Sequence, residues 1–293
     1  MTGAWEIRTG GRPHPSVPLH DLAVPLRPHR YRSRLLIAAA AVLVLAACAG
    51  RRAASPHACR WPVAPVVLRE AADTVYLAWT FPAEQMDRSV TPSRLPALSA
   101  FLDTVRARAG ALDARGLIER QIAHYAARPD SASQGEAANG RMVLAGSAGV
   151  LRPIDCVEAL LVEYQAARFP MASRPTEFQA VLLERGEPPN RQRRVYFAGS
   201  GAPWPPKGNL LFERVAADRR EGWRAVAHLH NHPFLFAADG DIAGANAPSL
   251  TDVQFWRHLR DSLGLESARV TNGFATFEAP AAAFDRLLAR QSR

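Results

Sequence analysis

The run Trp223-Arg-Ala-Val-Ala-His-Leu-His-Asn-His-Pro233 constrains this chain more than any other stretch. Small and apolar residues with histidines at alternate positions read as a strand, and that alternation puts His228, His230 and His232 on one face. Pro233 ends the strand, because it offers no N–H to a ladder. A helix follows from 249 to 263, with Val253, Trp256 and Leu259 recurring on one side. Side chains at the end of such a strand stand where sites in α/β sheets lie. Two or three imidazoles and the carboxylate of Asp252 are a ligand set for a metal that keeps one position open for water. Mixed imidazole and carboxylate ligation suits zinc. Ser249-x-x-Asp252 also reads as a capping box at the helix start. The two roles are compatible, since an acid in the first helical turn is rigidly placed.

Around this core the periodicities alternate. A strand is expected at 74–79, a helix over 96–127 and a loop over 128–140. A helix at 154–167 has Val157, Leu160, Leu161 and Tyr164 on one face. Strands follow at 177–184 and 194–198, separated by a Pro/Gly turn. A Pro/Gly loop covers 199–208, and a short helix 215–220. Strands at 268–271 and 274–277 and a helix at 281–289 close the chain. Strands alternating with helices predict an α/β fold, a sheet flanked by helices. The region 66–145 is expected to be mainly helical, and 150–293 to form the chemical domain.

The first 65 residues carry a different message. Arg30, Arg32 and Arg34 precede an apolar run, 35–47, that closes in Leu45-Ala-Ala-Cys48. A basic flank, a short apolar core and small residues before a cut site make a secretory signal. The run is shorter than the ~20 residues a spanning helix needs. Its end resembles the bacterial lipobox, which implies cleavage before Cys48 and lipidation of the Cys48 thiol. Residues 1–47 are then extension and signal, and 48–65 a tether. The expected location is the cell envelope, on a lipid-anchored chain. Cys59 and Cys156 either pair in an oxidising compartment or remain two thiols. The net charge of +9 comes without a run of basic residues interleaved with aromatics, so no nucleic-acid partner is expected.

His-Asn-His-Pro at 230–233, Ser249-x-x-Asp252 and a glutamate on an upstream strand together resemble the JAMM (MPN+) zinc metalloproteases, in particular their bacterial RadC-like branch. The resemblance covers about 150–290. It implies an MPN/JAMM-like mixed sheet flanked by helices, in a cytidine-deaminase-like arrangement. It also implies Zn²⁺ held by His230, His232 and Asp252, Ser249 steadying the tetrahedral intermediate, and a glutamate handling the catalytic water. Glu177, in Pro-Thr-Glu-Phe-Gln-Ala-Val-Leu-Leu, takes that last position, with Glu184 on the same strand as second choice. His228 lies outside the pattern, as a support to the ligands or a buried strand residue. Sixteen residues separate His232 from Ser249, more than is usual in the family. The extra segment, 234–248, reads as a surface insertion or a lid, and its Asp241 as an alternative ligand. The expected activity is zinc-dependent hydrolysis of a peptide or isopeptide bond in an envelope substrate. The rival expectation is a non-catalytic MPN-fold lipoprotein that binds or scaffolds. A DNA-linked role of RadC type conflicts with the signal segment.

Overall fold

The computed structural model describes residues 59–85, 95–110, 113–169, 171–234 and 244–288. Cys48 and the signal-like segment lie outside the described residues, as do Asp241 and most of the 234–248 insertion.

Eight strands form one sheet: β1 (Val66–Glu70), β2 (Thr74–Pro82), β3 (Val150–Pro153), β4 (Phe178–Arg185), β5 (Gln192–Ser200), β6 (Arg224–Asn231), β7 (Ser267–Thr271) and β8 (Ala275–Pro280). Their spatial order is β1-β2-β5-β4-β6-β7-β8-β3. All neighbours are antiparallel except β6 and β7, which run parallel. Seven α-helices are described: α1 (Pro96–Ala109), α2 (Ala114–Ala126), α3 (Ser131–Leu144), α4 (Cys156–Arg168), α5 (Asn209–Arg220), α6 (Leu250–Leu263) and α7 (Phe284–Leu288). The fold is α/β with a mixed sheet.

Every residue of β4 except Arg185 is buried, so helices cover both faces at the sheet centre. α1 packs on α4, while α3, α5 and α7 pack on α6. Trp79, Phe178, Phe197, Trp256 and Phe277 are fully buried in one continuous apolar cluster. Each such side chain contributes roughly 1.5–3 kcal/mol. The parallel pair β6–β7 is joined through α6, so the chain leaves the sheet at the carboxyl end of β6, where an open α/β sheet offers a crevice.

Several expectations are corrected. The helix expected over 96–127 is two helices. Gly110 ends α1 with φ 77°, a conformation that side chains with a Cβ resist. Asp113 then caps α2 by accepting from the N–H groups of Arg115 and Gly116. The loop expected over 128–140 is mostly α3. Asp130 caps it by accepting from Ser133 N, and its small residues allow close packing. A Cβ on Gly140 would stand 2.6 Å from Ile122 of α2. Strand β3 was not expected; four residues are too few to show a period. β2, from the region before 145, pairs along its whole length with β5, so both regions contribute strands to one sheet.

Cys59 and Cys156 are joined in a disulfide, with Cα atoms 5.6 Å apart and a separation of 97 positions in sequence. In the chain-entropy account a loop of this length stabilises the fold by ~4–5 kcal/mol. No helix among the described residues is long and apolar enough to cross a membrane.

Candidate metal centre

His230 is the penultimate residue of β6, and His232 lies one step beyond its end. The His232 N–H donates to Thr271 O at 2.9 Å, which carries the β6–β7 edge past the strand end. Ser249 is the N-cap of α6. Its Oγ accepts from Asp252 N at 3.0 Å, and the Asp252 carboxylate accepts from Ser249 N at 2.8 Å. The capping box thus exists, and it fixes the Asp252 side chain.

The three side chains converge. His230 Nε2 and His232 Nε2 are 3.2 Å apart. Asp252 reaches them at 3.3 and 3.2 Å. Zinc bonds of about 2.0–2.1 Å in tetrahedral array put ligand atoms about 3.3–3.4 Å from one another. The His230–His232 spacing is close to this; Asp252 meets the two imidazoles with different oxygens, Oδ1 and Oδ2, and the group could hold a metal ion. His230 is buried; His232 and Asp252 remain about one-fifth exposed, which leaves a way in.

What surrounds these groups orients them. His232 Nδ1 lies 2.8 Å from Ala245 O. A carbonyl only accepts, so this nitrogen carries the hydrogen and leaves Nε2 facing the centre. Ala245 is held in turn by buried amides. Asn246 Nδ2 donates to Val270 O and Ala275 O, and Asn272 Nδ2 donates to Gly244 O and Asn246 Oδ1. The end of the insertion is therefore tied to β7 and β8.

Glu177 lies directly before β4, half-buried. Its backbone N–H donates to Ala202 O, and its carbonyl accepts from Ser200 N. Asn231, between the two histidines and 1% exposed, brackets it. Asn231 Oδ1 accepts from Phe178 N at 2.7 Å, and Asn231 Nδ2 donates to Thr176 O at 3.0 Å. One amide thus fixes the backbone on both sides of Glu177 to the strand that carries the imidazoles. Burial pushes the Glu177 carboxyl up, while the nearby His232 and His230 pull it back and Asp252 raises it.

Glu184 stands apart. It pairs with Arg224 at the start of β6, whereas His230 pairs with Gln179. Gln179 lies five residues before Glu184 along β4, about 17 Å at 3.3–3.4 Å per residue. Its carboxylate is engaged by Arg193 and Arg191. The second-choice glutamate is remote from the centre. His228 is a buried strand residue in edge contact with Phe255, and neither ring nitrogen has a hydrogen-bond partner among the described residues. Burial, aided by His230, lowers it to about 3, so it is neutral.

Two contributions had no counterpart in the sequence reading. The role of Asn231 had a signal, an amide between paired histidines. Glu136 of α3 had none, because its approach to the centre is tertiary. Its Oε1 accepts from Leu250 N at 3.0 Å. A cleft of about 480 Å³ lies along α6, lined by Pro206, Lys207, Phe212, Phe255 and Leu259 and by Gln179, the cross-strand partner of His230.

The metal-free charges give a pH prediction. Burial alone would lower His232, but its hydrogen bond to Asp252 prevails and raises it to about 9. Burial would raise Asp252, yet His230 and His232 pull it well below the usual range. A metal must therefore displace a proton from His232 at any pH below about 9. From this proton alone, apparent affinity falls about tenfold for each pH unit of acidification. Chelator competition at pH 6, 7 and 8 reads this slope; a flat profile contradicts it.

Comparison of the chain with protein-family models, with curated proteins and with solved structures finds no match.

Proposed function

We propose that this chain is a zinc-dependent metallopeptidase or isopeptidase of JAMM type, acting on a peptide or protein substrate in the cell envelope. The observation that carries the reading is the convergence of His230 Nε2, His232 Nε2 and the Asp252 carboxylate within 3.2–3.3 Å. Two imidazoles and one carboxylate are a donor set for catalytic zinc, with a fourth position left over. Bound zinc would polarise the scissile carbonyl and make water acidic enough to be deprotonated near neutral pH.

The remaining steps belong to the protein. Glu177 accepts the proton of the attacking water and passes it to the leaving amine. Its buried setting suits this work, because it pushes the carboxyl up toward the operating pH. Ser249 Oγ already accepts from Asp252 N, so its hydroxyl hydrogen is directed elsewhere and can donate to the developing oxyanion. The cleft along α6, with apolar walls and Lys207 at its rim, suits a side chain of an extended peptide.

The envelope location rests on the basic flank, the apolar run and Cys48 in the sequence. The Cys59–Cys156 bridge fits an oxidising compartment. The zinc content of the purified full chain, and peptide hydrolysis before and after chelation, test the reading. About one zinc per chain, with hydrolysis lost on chelation and restored by zinc, is the expected result. A folded chain that takes up no zinc overturns it and favours the binding-module reading.

A further inference from the structure

The resemblance covers only about 150–290, and the helices before it have no role in that reading. The structure brings one of them to the centre. α2 and α3 pack as a hairpin, with Ile122 against Gly140. α3 leans on α6. From α3, Glu136 and Asn139 stand three residues apart, hence on one helical face, and both reach the segment 248–250 just ahead of Asp252. Glu136 Oε1 accepts from Leu250 N at 3.0 Å. Asn139, fully buried, turns its Nδ2 toward Pro248 O at 3.5 Å.

The N–H groups at the start of α6 are thereby divided among three side chains. Ser249 N goes to Asp252, Asp252 N to Ser249 Oγ, and Leu250 N to Glu136. The turn that carries Asp252 is set by α3 as much as by its own capping box. The other oxygen of Glu136 is buried and has no hydrogen-bond partner among the described residues. Asp252 and His232 of the centre are within electrostatic reach of it, as is Tyr125 of α2. A carboxylate oxygen without a donor is unfavourable unless a positive charge lies close. The cation held by His230, His232 and Asp252 would supply that charge.

We propose that Glu136 is a positioning residue of the metal centre, through which the α2–α3 hairpin orients Asp252 and adds negative charge that strengthens metal binding. This rests on the metal-centre reading above. It gives the region before 145 a function that the chemical domain cannot supply for itself. Glu136 holds no metal directly and moves no proton. It locks the first turn of α6 by one hydrogen bond and places a carboxyl group within electrostatic reach of His232 and Asp252. Outlying groups of this kind alter metal affinity by 10–100-fold.

The test separates the hydrogen bond from the charge. Glu136→Gln keeps an oxygen for Leu250 N and loses the charge; Glu136→Asp keeps the charge on a shorter arm. Glu119→Gln removes an exposed charge from α2 as control. Zinc affinity of each full-length chain is read by competition with a chromophoric chelator, beside the unfolding midpoint of the metal-free form. The expected result is a roughly tenfold or greater loss in Glu136→Gln, a smaller loss in Glu136→Asp, and no change in Glu119→Gln. Affinity in Glu136→Gln within twofold of the parent overturns the proposal. So does an equal loss in Glu119→Gln, or a loss in Glu136→Asp that exceeds the one in Glu136→Gln. A parent chain that binds no zinc overturns the metal centre itself, an outcome distinct from all of these.

Discussion

A Glu177→Gln chain is expected to fold, to hold its zinc, and to turn substrate over ~10²–10⁴-fold more slowly. The separation follows from where Glu177 sits. It lies outside the His230–His232–Asp252 group that could hold a metal, so its charge is not a ligand. Its position is set by its backbone, through Asn231 on both sides and through Ala202 and Ser200. Glutamine preserves all of these contacts and the volume of the side chain. Only the capacity to take and return a proton is lost. Because burial pushes the Glu177 carboxyl up, the acid limb of kcat/KM in the parent should lie above the ordinary carboxylate range. It should vanish from whatever activity the variant keeps. Zinc content and the pH profile of hydrolysis check both points; full activity in Glu177→Gln would remove this residue from the mechanism.

Asp252 carries two roles that two substitutions pull apart. Asp252→Ala deletes a ligand and half of the capping box. Stoichiometric zinc is lost, and the metal-free chain is less stable by about 0.5–2 kcal/mol for the missing cap. His232 also loses the contact that raises it to about 9 and returns toward the neutral form that burial favours. Asp252→Asn retains an oxygen for Ser249 N. Its metal-free stability should stay close to the parent's, while zinc binding still fails because a neutral amide is a poor partner for a dication. Metal content and thermal unfolding of the two chelated variants make the comparison. Zinc retained at full affinity in Asp252→Asn would mean that Asp252 only caps the helix.

The centre was legible because its parts are local. Alternation alone aligns His230 with His228 along β6, and Ser249-x-x-Asp252 announces a helix start whatever else it does. The structure then brings Asp252 across to both imidazoles. Glu177 was expected to open a strand, and β4 begins one residue later. Less was visible where tertiary contacts decide. α3 is rich in Ser, Gly and Ala, and reads as a loop until Ile122 fills the groove that Gly140 leaves. The union of β2 with β5 spans more than a hundred residues, and no local period signals it. Glu136 is one polar residue on a helix until α3 meets α6. Asn231 sits in plain view between the histidines, yet only the pairing of β4 with β6 shows that its amide holds the backbone around Glu177.

The bridge from Cys59 to Cys156 has a mechanical consequence. β1 is an exposed edge strand, paired among the described residues with β2 alone. A pull on the chain ahead of it would ordinarily peel such an edge away one hydrogen bond at a time. Here the covalent link hands the load from Cys59 to the first residue of α4, a helix whose first seven residues are all buried. Tension arriving from the amino-terminal direction is therefore delivered to the start of α4 before it reaches β1 and β2.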